Sequence, residues 1–273
     1  MKTVTFKNER KAYELENQID PQLLQALARC NGYVAGGAVT SIYSRKPVRD
    51  FDLYFPTFDD QAKFLVAMNI AGTAKLPEGN TRHPMVSLKA YNHALKKSNK
   101  TAQVIFITRN ARTFLWKEQT YQVITAFNMP PEELFAKFDF TVCMGAYLPA
   151  SRNFVTHENF FSDLAERRLC INVGTEYPIC TIVRIFKYQK KGFTVFGSDI
   201  IKIALAVHKL ELDNYKTLSN QLEGIDTLFM KELTDLLRSD AYREKAFDFD
   251  EFLRILDNYF QTKWIDDHFG GAD

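Results

Sequence analysis

Apolar positions follow two different periods along this chain. Gln22–Cys30 carry Leu23, Leu24 and Leu27 at helical spacing behind Asp20-Pro21, a capping residue followed by proline, so a short helix is predicted there. Tyr33-Val34-Ala35 is a short apolar run that ends in Gly36-Gly37, and Val39–Tyr43 then reads as helical. Phe51–Phe55 is predicted as a strand, and 59–71 as a helix with Phe64, Leu65 and Met68 on one side. Met85–Ala90 and Val104–Thr108 are two further strand candidates, and Pro130-Pro131-Glu132-Glu133 opens a helix towards Phe138. From about residue 198 only the helical period remains. Ser198-Asp199 caps 200–212, Leu222–Leu237 places Ile225, Leu228, Phe229, Leu233 and Leu236 at helical spacing, and Phe252, Leu253, Ile255, Leu256 and Phe260 repeat the pattern. Mixed elements followed by helices alone predict an α+β fold with a helical portion after it.

Composition narrows the class. The chain has 273 residues, enough for one large or two modest domains at roughly 150 residues each. Hydrophobic residues make up 46% and charged residues 25%, which excludes disordered, collagen-like and coiled-coil chains. Lys plus Arg minus Asp plus Glu is 35 − 33 = +2, so any basic footprint for nucleic acid has to be local. Met1–Glu14 is polar and charged, and no apolar run approaches membrane-spanning length. A cytoplasmic protein with no membrane partner is therefore expected. Cys30, Cys143, Cys170 and Cys180 form no C-x-x-C, and the five histidines add no zinc spacing, so reduced thiols are expected.

The chemistry is concentrated in two short segments. Side chains alternate along a strand, so Asp50 and Asp52 share one face while Phe51 points into a core. Their Cα atoms are expected roughly 6.6 Å apart, at about 3.3 Å of rise per residue. Two carboxylates at that reach suit hard divalent cations, including the ion pair used in phosphoryl and nucleotidyl transfer. Gly36-Gly37 lies between a strand and a helix start, where exposed backbone N–H groups cradle phosphate. Strand, Gly-Gly, helix and then Asp-x-Asp thirteen residues on (50 − 37) is far more specific than either half alone.

Gly36-Gly37 with Asp50-Phe51-Asp52 resembles the head motif of the DNA polymerase β-type nucleotidyltransferase superfamily. Further blocks are similar to its branch of CCA-adding tRNA nucleotidyltransferases and bacterial poly(A) polymerases. Phe138–Ala146 resembles the Arg-Asp-Phe-Thr-Ile-Asn-Ala segment, Phe161–Leu164 with Arg168–Ile171 the Gly-Leu-x-Asp-Leu stretch, and Arg184–Phe193 the helix that begins Glu-Asp-x-x-Arg and ends at Gly-Phe. The four blocks cover about residues 30–195. The resemblance implies a polymerase β-type head, with a small mixed or antiparallel sheet flanked by helices. It places a catalytic head at 1–150, its continuation with a nucleotide-facing helix at 151–197, and a helical C-terminal domain at 198–273.

The resemblance also implies roles. Asp50 and Asp52 hold catalytic Mg²⁺ (or Mn²⁺), Gly36 and Gly37 bind the triphosphate, Asp139 recognises the sugar and Arg184 faces the base. Thr40, where the branch usually has arginine, and Lys187 join the nucleotide-binding set, while Arg49, Lys190 and Lys191 are weaker candidates for phosphate or acceptor binding. On a helix, positions 184, 187 and 191 share a face. Other departures are Cys180 and Thr181 in place of the acids before the base-reading arginine, Lys137-Phe138 in place of an arginine pair, and Gln103 where a third strand acid is expected.

The expected function is metal-dependent, template-independent transfer of a nucleoside monophosphate from a triphosphate to an acceptor hydroxyl, an RNA 3′ end by analogy. Two alternatives stand beside it: nucleotidylation of a protein side chain, and a catalytically inert nucleotide- or RNA-binding module.

Overall fold

A computed structural model describes residues 1–70, 102–107, 110–117, 119–223, 233–243 and 245–267. The chain divides into two compact units, Met1–Thr175 with Ile185–Ile200, and Glu176–Arg184 with Ile201–Asp273.

Local signals set the first helices. Helix α1 (Glu9–Glu16) is capped by Asn8, whose side chain accepts from the Lys11 N–H at 3.1 Å. In α2 (Pro21–Arg29) the Asp20 carboxylate accepts from Gln22 and Leu23, and Pro21 occupies a position where a missing N–H costs nothing. Helix α3 (Gly37–Tyr43) starts at Gly36, and α4 (Phe58–Ala67) is capped by Thr57, whose Oγ1 accepts from the Asp60 N–H at 3.1 Å.

The first unit is built on one eight-stranded mixed sheet. Its strands are β1 (Thr3–Lys7), β2 (Tyr33–Ala35), β3 (Asp50–Phe55), β4 (Ala102–Ile107), β5 (Ala111–Trp116), β6 (Gln119–Asn128), β7 (Gly145–Leu148) and β8 (Asn153–His157), in the order β1-β8-β7-β2-β3-β6-β5-β4. The sheet is larger than the small one expected. Strands β1, β5, β6, β7 and β8 are absent from the sequence expectations: β1, β5, β6 and β8 mix threonine, glutamine or asparagine with their apolar residues, and β7 is only four residues long. Val104–Thr108 corresponds to β4, at the end of the sheet order, and Met85–Ala90 lies outside the described residues.

β3 pairs antiparallel with β2 and parallel with β6. Its core face carries Phe51 and Leu53, both fully buried, and Phe51 stacks on Tyr121 at a centroid distance of 5.4 Å, with Phe114 beyond it at 5.6 Å from Tyr121. Leu23 and Leu27 of α2 and Phe64 and Leu65 of α4 complete this core, as their spacing implies. Burying several such side chains contributes roughly 1.5–3 kcal/mol each.

The described elements of the second unit are helical, including part of Pro178–Lys190 and of Gly197–His208, then Tyr215–Glu223, 233–237, Asp240–Arg243 and Phe249–Asp267. Its core joins Tyr215, Leu218, Leu222, Leu233, Leu237 and Phe252. Two helical expectations are adjusted by a single residue. Leu237 is buried while the expected Leu236 is exposed, and Leu253 is exposed beside the buried Phe252. Residues 225, 228 and 229 lie outside the described residues. No helix among the described residues is long and apolar enough to cross a membrane.

Candidate functional site

The acid pair lies on the face of β3 opposite Phe51 and Leu53. Asp50 is exposed and Asp52 half-buried, while Phe51 and Leu53 between and beyond them are buried. In register, Asp50 stands beside Thr120 and Asp52 beside Gln122 of β6, while Ala35 of β2 faces Asp52 from the other side. Register partners share a face, so Thr120 and Gln122 flank the acids. Further along this face Tyr54 stacks with Tyr33 at 5.7 Å and meets Phe138 at 6.0 Å. The face is thus covered at its Tyr54 end and open at Asp50.

The register moves the neighbouring-strand position. The expected position, Gln103, is exposed on β4, and the strand beside β3 is β6, which presents the half-buried Gln122. Tyr121 and Val123 of β6 are buried, while Thr120 and Gln122 are half-buried beside the acids.

The two glycines have different tasks. Gly36 is buried with φ +79° and ψ −135°, a conformation open essentially to glycine alone, and its N–H donates to the Gly145 carbonyl at 3.0 Å. It bends the chain from β2 into α3. Gly37 is exposed, and a Cβ placed there meets nothing within 4 Å. Backbone approach by a ligand is therefore open at Gly37 and closed at the Gly36 amide.

Thr40 has partners within the protein. Its side chain is buried and its hydroxyl donates to the Val142 carbonyl at 2.6 Å, with the Gly36 carbonyl at 3.2 Å. It stitches α3 to the 142–145 segment. Asp139 is also buried, 8% exposed, and its Oδ1 accepts from the Thr175 hydroxyl at 2.7 Å. Its main-chain carbonyl accepts from Asn172, so the Asp139 segment is fastened at both backbone and side chain.

The basic residues divide between the units. Arg184 is half-buried and counted with the second unit, whereas Lys187, Lys190 and Lys191 are exposed residues of the first, with Arg49 exposed just before Asp50. Although exposed as a residue, Lys191 has an ammonium crowded by protein. That burial lowers its pKa, Lys187 and Arg49 lower it further, and Cys143 and Asp50 oppose the shift. Cys180 and Thr181, which replace the family acids, are buried in the second unit. The Cys180 thiol donates to the Gln221 carbonyl of the helix Tyr215–Glu223 at 2.9 Å and the Thr181 hydroxyl to the Tyr177 carbonyl one turn back at 3.1 Å, so both polar groups are taken up by backbone carbonyls of the second unit.

Asp50 and Asp52, on one open face with an unobstructed glycine backbone in the adjoining turn, fit a hard divalent cation through two carboxylates. No group of three or more His, Cys, Asp or Glu side chains converges as a cation cage among the described residues.

Comparisons with known proteins bear on fold and family. A CCA-adding enzyme solved with CTP matches this chain at a TM-score of 0.50 and 14% identity, over all of this chain and 64% of that one. The Thermotoga maritima CCA-adding enzyme complexed with tRNA matches at 0.47 and 13%, over 100% of this chain and 64% of that one. The first likeness shows the polymerase β-type nucleotidyltransferase fold. Gabija anti-defense 2 of Bacillus phage SPbetaL7 is 30% identical over 217 residues, covering 77% of this chain and 47% of that protein. The chain spans about half the length of this curated relative. The family match corrects the branch suggested by the resemblance, because it is not the tRNA-specific one. A family model described as Gabija anti-defense 2 family protein matches residues 5–167, and the chain belongs to that family.

Proposed function

We propose that this protein is a metal-dependent nucleotidyltransferase that moves a nucleoside monophosphate from a triphosphate to an acceptor hydroxyl. The observation that carries the reading is the placement of Asp50 and Asp52 on the open face of β3, beside the bend at Gly36. The acceptor hydroxyl attacks the α-phosphorus in line; the new oxygen–phosphorus bond forms as the bond to pyrophosphate breaks. Asp50 and Asp52 would hold Mg²⁺ or Mn²⁺, which lowers the pKa of an attacking hydroxyl and offsets charge on the leaving pyrophosphate. Gly37 admits the triphosphate close to the main chain because no Cβ stands in the way. Asp139 recognises the sugar and Lys187 serves the phosphates, as the family resemblance implies.

The acceptor in this reading is an RNA 3′ end, which the shared fold of the CCA-adding enzymes supports by analogy. The name of the phage relative favours a second acceptor within the same chemistry. An anti-defence role is served if the transferred nucleotide blocks a component of a host defence system, and such a component would present a protein side-chain hydroxyl. Incubation with each labelled triphosphate, plus total RNA or host cell extract, tests both. Label that resists protease and yields to ribonuclease marks an RNA acceptor, and the reverse marks a protein. Bound nucleotide without pyrophosphate release overturns the transferase reading in favour of an inert binding module.

A further inference from the structure

A cavity of about 400 Å³ opens between α1 and the loop that leaves α3, lined by Glu14, Gln18, Ile42, Arg45, Lys46 and Pro47. Ile42 is buried in the same core as Phe51 and Leu53, so the cavity lies on the side of the sheet away from Asp50 and Asp52. Its walls are tied together from within. Lys11 Nζ donates to the Ile42 carbonyl at 2.9 Å, and the Val48 N–H donates to Gln18 Oε1 at 3.3 Å, which fastens α1 to both ends of the loop. The one acid of the lining is already engaged, because Arg10 Nε lies 3.0 Å from Glu14 Oε1 and Lys11 Nζ pairs with Oε2.

The loop departs through a left-handed turn. Arg45 has φ +54°, its N–H donates to the Ile42 carbonyl at 3.4 Å, and the Lys46 N–H donates to the Ser41 carbonyl at 2.9 Å. Glycine is the usual occupant of that position after a helix, and here an arginine holds it against its conformational preference. Arg45 and Lys46 are both exposed, and among the described residues neither side chain has a hydrogen-bond or ion-pair partner. Two adjacent, uncompensated cations at the rim of a cavity floored by Ile42 and Pro47 suit a ligand that is anionic at one end and flat and apolar at the other. The volume falls in the range of roughly 300–1,000 Å³ typical of small organic ligands and exceeds what a single ion needs. We propose that this cavity binds a nucleoside monophosphate, with the phosphate on Arg45 and Lys46 and the base against Ile42 and Pro47. The site is separate from the acid pair and stands without the transferase reading.

Calorimetric titration of AMP into the full chain tests the site, with a chelator present to keep metal-dependent binding at Asp50 and Asp52 out of the signal. Binding is expected. Arg45→Gly should weaken it by about tenfold or more, the effect of losing a charge-assisted hydrogen bond. The same variant should unfold in urea at or above the parent's midpoint, because glycine suits a φ of +54°, so the loss of binding is not a loss of fold. Lys46→Ala should weaken AMP to a similar degree, whereas Lys187→Ala and the pair Asp50→Asn with Asp52→Asn should leave it unchanged. Adenosine should not bind, and inorganic phosphate should bind at least about tenfold more weakly than AMP. No AMP binding by the parent, binding indifferent to Arg45→Gly, or adenosine or phosphate binding as tightly as AMP would overturn the site. A loss in Lys187→Ala as large as that in Arg45→Gly would do so too, by placing the nucleotide at the acid pair. The two proposals fail separately: transfer by a chain that binds no AMP in chelator sinks the cavity alone, and AMP binding without transfer sinks the transferase alone.

Discussion

Gly36 and Asp52 face each other across the β2–β3 pair: a Cβ built on Gly36 would lie 3.8 Å from Asp52 Oδ2. The bend and the acid are therefore one corner of the structure, and the backbone conformation of the first controls the surroundings of the second. Gly36→Ala is expected to cost about 1–3 kcal/mol, because its φ of +79° excludes a side chain even where space exists. Gly37→Ala has no such strain and should keep the parent's stability while raising KM for triphosphate, since its new methyl group occupies the approach to the main chain. Urea unfolding beside steady-state kinetics separates the two outcomes. Equal stability losses at both positions would contradict this division of labour.

Thr40 tests a different kind of contact. Removing its hydroxyl in Thr40→Val leaves the Val142 carbonyl without that donor in a buried setting. A loss of roughly 1–3 kcal/mol is expected, with KM for triphosphate unchanged. A large rise in KM at unaltered stability would show instead that Thr40 meets the nucleotide.

His157 gives the first unit a pH dependence. Burial holds its imidazole below the ordinary 6.5, with Glu158 and Asp163 pulling the other way, and its Nδ1 accepts from the Asn159 N–H at 3.1 Å. The folded state thus favours the neutral ring, while the unfolded chain takes up the proton more readily. The contribution to stability is complete above about pH 6.5 and is lost as pH falls through the window beneath it. His157→Gln should flatten the decline in the urea midpoint between about pH 7 and pH 5. An unchanged slope would assign the decline to other groups.

Much of the site was legible because local chemistry dictates it. Asp20-Pro21 announces α2, and Phe51 between two acids fixes which way a strand must face once one side is buried. The neighbour of that strand was not legible. Pairing of β3 with β6 joins residues about seventy positions apart, and nothing local distinguishes Gln122 from Gln103 as the amide beside the acids. The buried contact of Thr40 was hidden for the same reason, since its partner Val142 lies 102 residues away and sequence spacing cannot announce it. In the second unit the helical period was clear, but Leu236 and Leu237 are equally apolar and only packing chooses between them.

The acid pair is open to the most direct test. Asp50→Asn with Asp52→Asn replaces charge at nearly constant volume on an exposed and a half-buried position, so the circular dichroism and urea midpoint should stay close to the parent's. Release of pyrophosphate from labelled triphosphate in the presence of Mg²⁺ and acceptor should fall by roughly a hundredfold or more, the scale on which transition-state charge stabilisation acts. Pyrophosphate release at the parent's rate from the folded double variant would contradict the assignment of these two carboxylates to catalysis.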